Sequence, residues 1–211
     1  MGSDSDLRAE RLKAHDVALP KGYLPDPDRH LGNVRDRIHY DRALRWLKSL
    51  GAKSALDVGS YDGWLDFLLI RDGFKMSGVE MIGSLADAAM SYAERNFIQY
   101  QVFTNHILDA APLMFSEGGE KYDTVLCFET LEHLPLDEAK EAVGKFSSWA
   151  SKGVIISLPD QKHEDNAQHL WTPTADLIHE MWGRMPGYDV EYVPYPGSHI
   201  PGNWFIRYRL G

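Results

Sequence analysis

Several things are scarce in this chain. It has one cysteine, Cys127, in 211 residues. That excludes an internal disulfide and any zinc site built from several thiolates, and makes a reducing, cytoplasmic compartment the expectation. No apolar run approaches the ~20 residues needed to cross a bilayer. The opening stretch MGSDSDLRAERLK lacks the apolar core of a secretory signal. Basic charge is also short: 22 Lys+Arg stand against 31 Asp+Glu, for a net charge of −9 and a pI near 5.4. No Lys/Arg run exceeds two residues. A basic face is what grips phosphates and anionic lipid, so nucleic acid and membrane are both argued against as main partners. Finally, neither G-x-G-x-x-G nor the Gly-Lys-Ser/Thr of a phosphate loop occurs after a strand.

What remains is ordinary globular material, 44% hydrophobic and 25% charged. The length suits one core, since cores beyond roughly 250 residues tend to split. Residues 1–40 are polar and broken by Pro20, Pro25 and Pro27. They read as an N-terminal extension: a short charged helix near 6–15 or, preferred for residues 1–15, a disordered leader, then a flap over 16–40. Residues 41–211 read as the main domain. Ala43, Leu44, Trp46, Leu47 and Leu50 recur at helical spacing, and Gly51 ends that helix. Strands are predicted at Ser54–Val58, Phe74–Glu80, Gln99–Phe103, Tyr122–Phe128 and Gly153–Leu158. Helices lie between them at Trp64–Asp72, from Ser84 as cap to Asn96, and over Leu136–Ala150. Thr172–Pro173 opens a further helix ending near Arg184. Two late strands, Tyr188–Val193 and Trp204–Leu210, have only a Pro/Gly-rich loop between them and predict an antiparallel edge pair. The fold class expected is therefore α/β: a Rossmann-like, doubly wound, mostly parallel sheet with that pair at the C-terminal edge. Such sheets bind ligands outside the carboxyl ends of their strands, so the residues just after each strand are the candidates.

After the first strand comes Asp57-Val-Gly-Ser-Tyr-Asp-Gly63. Gly59 permits a sharp turn, and Gly63 a close approach of backbone to a ligand or a helix. Asp57 would repel a pyrophosphate and attract an ammonium; a local hydrogen-bond acceptor in a tight turn is the plainer alternative. Glu80 ends the second strand, where a carboxylate can accept both hydroxyls of a ribose. Asp109 follows the third strand and could accept from an amine or cap a helix.

Together these positions resemble the class I S-adenosylmethionine (SAM)-dependent methyltransferases, over roughly residues 40–160. The resemblance rests on ALDVGSYDG, GVE, LDA and YDTVLCFETLEHL, the last of them typical of the small-molecule branch. It implies that Gly59 and Gly63 flank the methionine part of SAM, with Asp57 toward its ammonium and Glu80 on its ribose. Met81 would pack on the adenine, and Asp109, with Leu108 beside it, would meet the adenine amine. Ser60, Phe128 and Glu129 complete the implied cofactor set. Tyr61 departs from the family's glycine pattern in the first loop.

Glu129, Glu132 and His133 stand at i, i+3 and i+4, on one face of a helical turn. Two carboxylates and an imidazole, with His163 or His169 from the loop after the fifth strand, can hold a divalent cation such as Mg or Mn. This resembles the Glu-x-x-Glu-His motif of the small-RNA 2′-O-methyltransferases and the ubiquinone-pathway O-methyltransferases. A metal-free alternative has Glu132 as a solvated acid and His133 as a lone base or a core histidine. Trp171, Tyr195, His199 and Trp204 are candidates for a substrate wall, and Trp46 for the core.

The expectation is a SAM-dependent enzyme that methylates a hydroxyl of a small or sugar-like molecule. His133 or His169 would act as base, or a metal at Glu129, Glu132, His133 and His169 would lower the hydroxyl pKa. The rivals are an N-methyltransferase or RNA 2′-O-methyltransferase on the same fold, an NAD-dependent oxidoreductase, and a catalytically inactive SAM-binding scaffold.

Overall fold

The computed structural model describes residues 18–111, 119–160, 169–195 and 201–211. The helix expected near 6–15, His163 and His199 lie outside the described residues. Along the chain come α1 (Pro27–Leu31), α2 (Val34–Ser49), β1 (Ser54–Val58), α3 (Trp64–Arg71), β2 (Lys75–Glu80), α4 (Gly83–Arg95) and β3 (Val102–Thr104). There follow β4 (Tyr122–Phe128), a 3-10 turn at Leu131–His133, α5 (Leu136–Trp149), β5 (Ala150–Pro159), α6 (Ala175–Trp182), β6 (Asp189–Pro194) and β7 (Gly202–Arg209). The strands form one sheet in the order β3-β2-β1-β4-β5-β7-β6. β1 to β5 pair in parallel, while β7 runs antiparallel to both β5 and β6. The expected doubly wound sheet with an antiparallel edge pair is what the chain forms.

Patterning explains the layers. β4 is central, flanked by β1 and β5, and its Val125, Leu126 and Cys127 are fully buried, as a strand covered on both faces requires. α5 buries Ala139, Ala142, Val143, Phe146 and Trp149, a stripe at three- and four-residue steps. With α6 it closes one face of the sheet over Trp182, Ile206 and Tyr208. On the other face α2, α3 and α4 pack Leu47, Phe67, Ala89 and Phe205. Trp46 belongs to that core, as expected.

Several boundaries differ from the sequence reading. The helix expected from residue 41 begins at Val34, where the Asn33 side chain accepts from the Arg35 amide at 2.9 Å. Its buried stripe starts with Asp36 and His39, polar residues that an apolar pattern passes over. α4 is preceded by Ile82, so Ser84 lies inside the helix and does not cap it. The cap of α6 is Thr174, whose hydroxyl accepts from the Leu177 amide at 3.2 Å; Thr172 and Pro173 lie before it. β3 is a three-residue edge strand shifted toward Thr104. Residues 18–40 are pinned to α3 and the loop before it. Tyr23 donates to Asp62 at 2.5 Å, Asp28 pairs with Arg71 at 2.8 Å, and the His30 ring stacks on Trp64 at 4.6 Å.

β1 and β4 are sequence-distant neighbours from which the chain winds outward both ways. Their carboxyl ends form the switch point, the place where such sheets hold ligands.

Candidate active site

A cavity of about 430 Å³ opens at the switch point. Its floor is the run Asp57–Tyr61, one side is Val79–Ile82, another is Phe128–Thr130, and Asn105–Ile107 close the end beyond β2. The cover comes from α1 and α2 through His30, Arg35, Asp36 and His39.

The first loop is built for a tight reversal. Gly59 has φ +79, and a Cβ there would overlap the Thr130 side chain, so glycine is required by both strain and space. Tyr61 takes the left-handed conformation too, at φ 54, and its ring escapes outward, 43% exposed. This is how a bulky residue occupies a position where the family has glycine. Glu80 locks the turn: its carboxylate accepts from the amides of Tyr61 and Ile82, both at 2.8 Å. The Met81 amide is a third donor, which still leaves lone-pair capacity for a ligand. Gly63, at φ 78, leads into α3; a Cβ there would press on the Phe67 ring and Ala89. Gly63 therefore serves helix packing, and Trp64 and Leu65 take the cavity wall beyond it.

The floor is strongly acidic. Asp57 is 4% exposed; burial, then the charge of Glu80, push its carboxyl up to about 7. Burial likewise raises Glu80, against the pull of its backbone donors. Two poorly solvated acids facing one cavity make a site that favours a cationic guest.

Glu129 is held away from Glu132. It adopts φ 49, and its carboxylate accepts from Arg35 at 3.0 Å and from Asn203 at 2.6 Å, with His39 at 3.5 Å. The three expected ligands on one face therefore separate. The group that does converge is Glu132, His133 and His169, each offering one atom within 4.8 Å of the others. The His133 and His169 rings meet edge to face at 4.9 Å. Glu132 is 0% exposed, and neither of its carboxylate oxygens accepts a hydrogen bond from the described residues. Burial, then the charge of Glu129, raise its carboxyl well above the usual range. An orphaned buried carboxylate beside two imidazoles is a donor set that suits a divalent cation.

Of the residues named from sequence, Asp57, Gly59, Ser60, Glu80, Met81, Phe128, Glu129 and His133 line the cavity. Leu108 and Asp109 do not: Asp109 is exposed, Leu108 is buried against α5 through Lys145, and His106 and Ile107 take the wall instead. Trp171 packs in the core and donates to the Leu134 carbonyl at 3.0 Å, and Trp204 meets Tyr192 on the edge strands. Tyr195 is buried against His39 behind the cavity. The reading from sequence missed the cover from α1 and α2. The available signal was polar Asp36 and His39 falling on the buried stripe of an amphipathic helix.

A model of a methyltransferase domain matches residues 29–192. This chain belongs to the methyltransferase domain family, of the class I, SAM-dependent kind. It is 33% identical over 87 residues to the ubiquinone biosynthesis O-methyltransferase of Coxiella burnetii (strain RSA 493), covering 41% of this chain and 35% of that one. The methyltransferase thus spans about a third of the length of that curated relative. Its fold is that of magnesium protoporphyrin IX methyltransferase from Synechocystis, solved with bound SAM, at TM-score 0.66 and 17% identity over 99% of this chain and 92% of that one. The N-methyltransferase NodS from Bradyrhizobium japonicum superposes at TM-score 0.68 with 14% identity, covering 85% and 98%. The cavity suits the family's cofactor: bare backbone at Gly59, two buried acids of a kind that accept from ammonium and hydroxyl groups, and an apolar flank at Val79, Met81, Ile82 and Ile107. No helix among the described residues is long and apolar enough to cross a membrane.

Proposed function

We propose that this methyltransferase transfers a methyl group from SAM to a hydroxyl of a small or sugar-like molecule. The observation that carries the reading is the cavity at the switch point, acidic at the ends of both β1 and β2, with His133 on its wall. The named O-methyltransferase relative supports hydroxyl over amine as the acceptor. When bound, SAM supplies an electrophilic methyl group on a cationic sulfur. In this reading Asp57 holds the ammonium, Glu80 the ribose hydroxyls, and Met81 and Ile107 flank the adenine. Phe128 gives the reacting end a low-polarity lining. His133 takes the acceptor's proton as the nucleophile forms, which requires only its neutral imidazole. The acceptor enters beneath α1 and α2. Acidic net charge argues against RNA, and the single buried Cys127 fits a reducing, cytoplasmic setting.

A metal-assisted variant is favoured by one observation, the orphaned Glu132 beside His133 and His169. A divalent ion there would act as a Lewis acid on the acceptor hydroxyl. Glu129 would not be a ligand while Arg35 and Asn203 hold it.

Calorimetric titration with SAM, followed by a screen of hydroxyl, amine and short RNA acceptors with and without chelator, tests the reading. Glu80→Ala should weaken SAM binding about tenfold or more, the loss of a charge-assisted hydrogen bond. His133→Ala should bind SAM normally and lose most turnover. Full turnover in His133→Ala removes the base assignment, full activity in excess chelator removes the metal, and methylation confined to amines or RNA removes the hydroxyl acceptor.

A further inference from the structure

Behind the ammonium end of the cavity sits an acid that the proposed chemistry does not use. Asp66, in the first turn of α3, is 0% exposed, and its carboxyl is in hydrogen-bond contact with that of Asp57. Its Oδ2 accepts from the buried Tyr100 hydroxyl, whereas its Oδ1 meets no N–H or O–H donor among the described residues. Two carboxyl groups in contact and out of water cannot both be ionised; one proton must lie between them. The ionisable groups facing the pair add only negative charge when they titrate. They are Glu80 at the end of β2, Asp62 in the first loop, the Tyr100 hydroxyl ahead of β3, and the Cys127 thiol of β4. Asp62 is itself held by Tyr23.

We infer that Asp57 and Asp66 share one proton in the ligand-free protein, and that the ammonium group of SAM displaces it on binding. This rests on the reading of the cavity as the SAM site. The exchange balances: the shared O–H bond breaks, the proton passes to solvent, the pair goes from one negative charge to two, and the ammonium brings one positive charge. Local charge is unchanged, which a buried site of this kind demands. Asp66 is then a positioning residue, acting on the cofactor only through Asp57. The pair also sorts ligands, because an adenosine compound without an ammonium, such as 5′-methylthioadenosine, has nothing to exchange for the proton. Burial raises both carboxyls of the pair, so the linkage falls above the usual carboxylate range.

The test is calorimetry of SAM binding in buffers of different ionisation heat, phosphate and Tris, at about pH 6, where linkage predicts release of close to one proton. The dissociation constant should fall by close to tenfold from about pH 5.5 to 6.5. 5′-Methylthioadenosine should bind without releasing a proton. Asp66→Asn, whose amide donates to ionised Asp57 and adds no like charge, should carry the release to lower pH. Tyr100→Phe, which removes the donor that favours ionised Asp66, should carry the release to higher pH. SAM binding without proton release, or an Asp66→Asn variant whose release keeps the wild-type pH dependence, overturns the shared proton alone. A wild-type protein that does not bind SAM overturns the reading of the cavity and this inference with it.

Discussion

At the residue scale, positions that look alike in sequence differ once their surroundings are known. Gly59 and Gly73 both have positive φ, at +79 and +92. Nothing lies within 4 Å of a Cβ at Gly73, while one at Gly59 would run into Thr130. Gly73→Ala should therefore cost about 1 kcal/mol of backbone strain. Gly59→Ala should cost about 2–4 kcal/mol, since overpacking adds to strain. Urea denaturation of both variants measures the gap; equal losses would mean that Thr130 yields freely. The same contrast separates the acids. Asp57 and Glu80 are legible as site residues because they end strands of a doubly wound sheet. Asp66 is not, since nothing in WLDFLLIR shows that its third residue turns inward onto Asp57.

At the scale of elements, the site is closed by two that are remote in sequence. α2 sends Arg35, and β7 sends Asn203, to the same Glu129 carboxylate at the end of β4. Asn203 is fully buried and its amide also reaches His39 at 3.1 Å, which bonds in turn with Ser157 at 3.2 Å. Glu129 thereby holds a left-handed conformation that an isolated chain would avoid, at a cost of order 1–2 kcal/mol. Removing Arg35 and Glu129 singly and together should show a coupling of about 0.5–1 kcal/mol in denaturation, modest because the Arg35 side chain is 37% exposed. Additive losses would mean that the pair is incidental. The spacing of Glu129, Glu132 and His133 implies one helical turn with all three on one face, but the turn is 3-10 and starts only at Leu131. Glu129 precedes it and points elsewhere.

At the scale of the whole molecule, buried acids set the response to pH. Asp57, Asp66 and Glu132 all have carboxyl groups raised by burial, Asp57 to about 7. Between about pH 4, where an unfolded carboxyl titrates, and the folded value, the native chain holds more protons than the unfolded one. Their contribution is complete below about pH 4 and is lost as pH rises through the raised folded values, about 7 for Asp57. His39 acts oppositely: burial lowers its pKa, so its contribution is present above about 6.5 and fades on acidification. From about pH 7 to 8 an unfolded histidine is already mostly neutral, and the raised acids dominate the slope. The melting temperature of the ligand-free protein should therefore fall over that interval, and less steeply in Glu132→Gln. A melting temperature that rises from pH 7 to 8 would show these carboxyls ionised in the native state.

Periodicity and punctuation along the chain were enough to determine most strands, their mostly parallel pairing, the antiparallel edge pair and the acids that end β1 and β2. Each of those depends on residues a few positions apart, whose solvent exposure alternates with a local period. Only the tertiary structure decided what covers the cavity, which three residues converge beside it, and which carboxyl lies behind Asp57. Those facts are contacts between residues tens of positions apart, such as Glu129 with Arg35 and Asn203. Such contacts depend on how layers stack and on which buried charge finds a partner, and no local pattern records either.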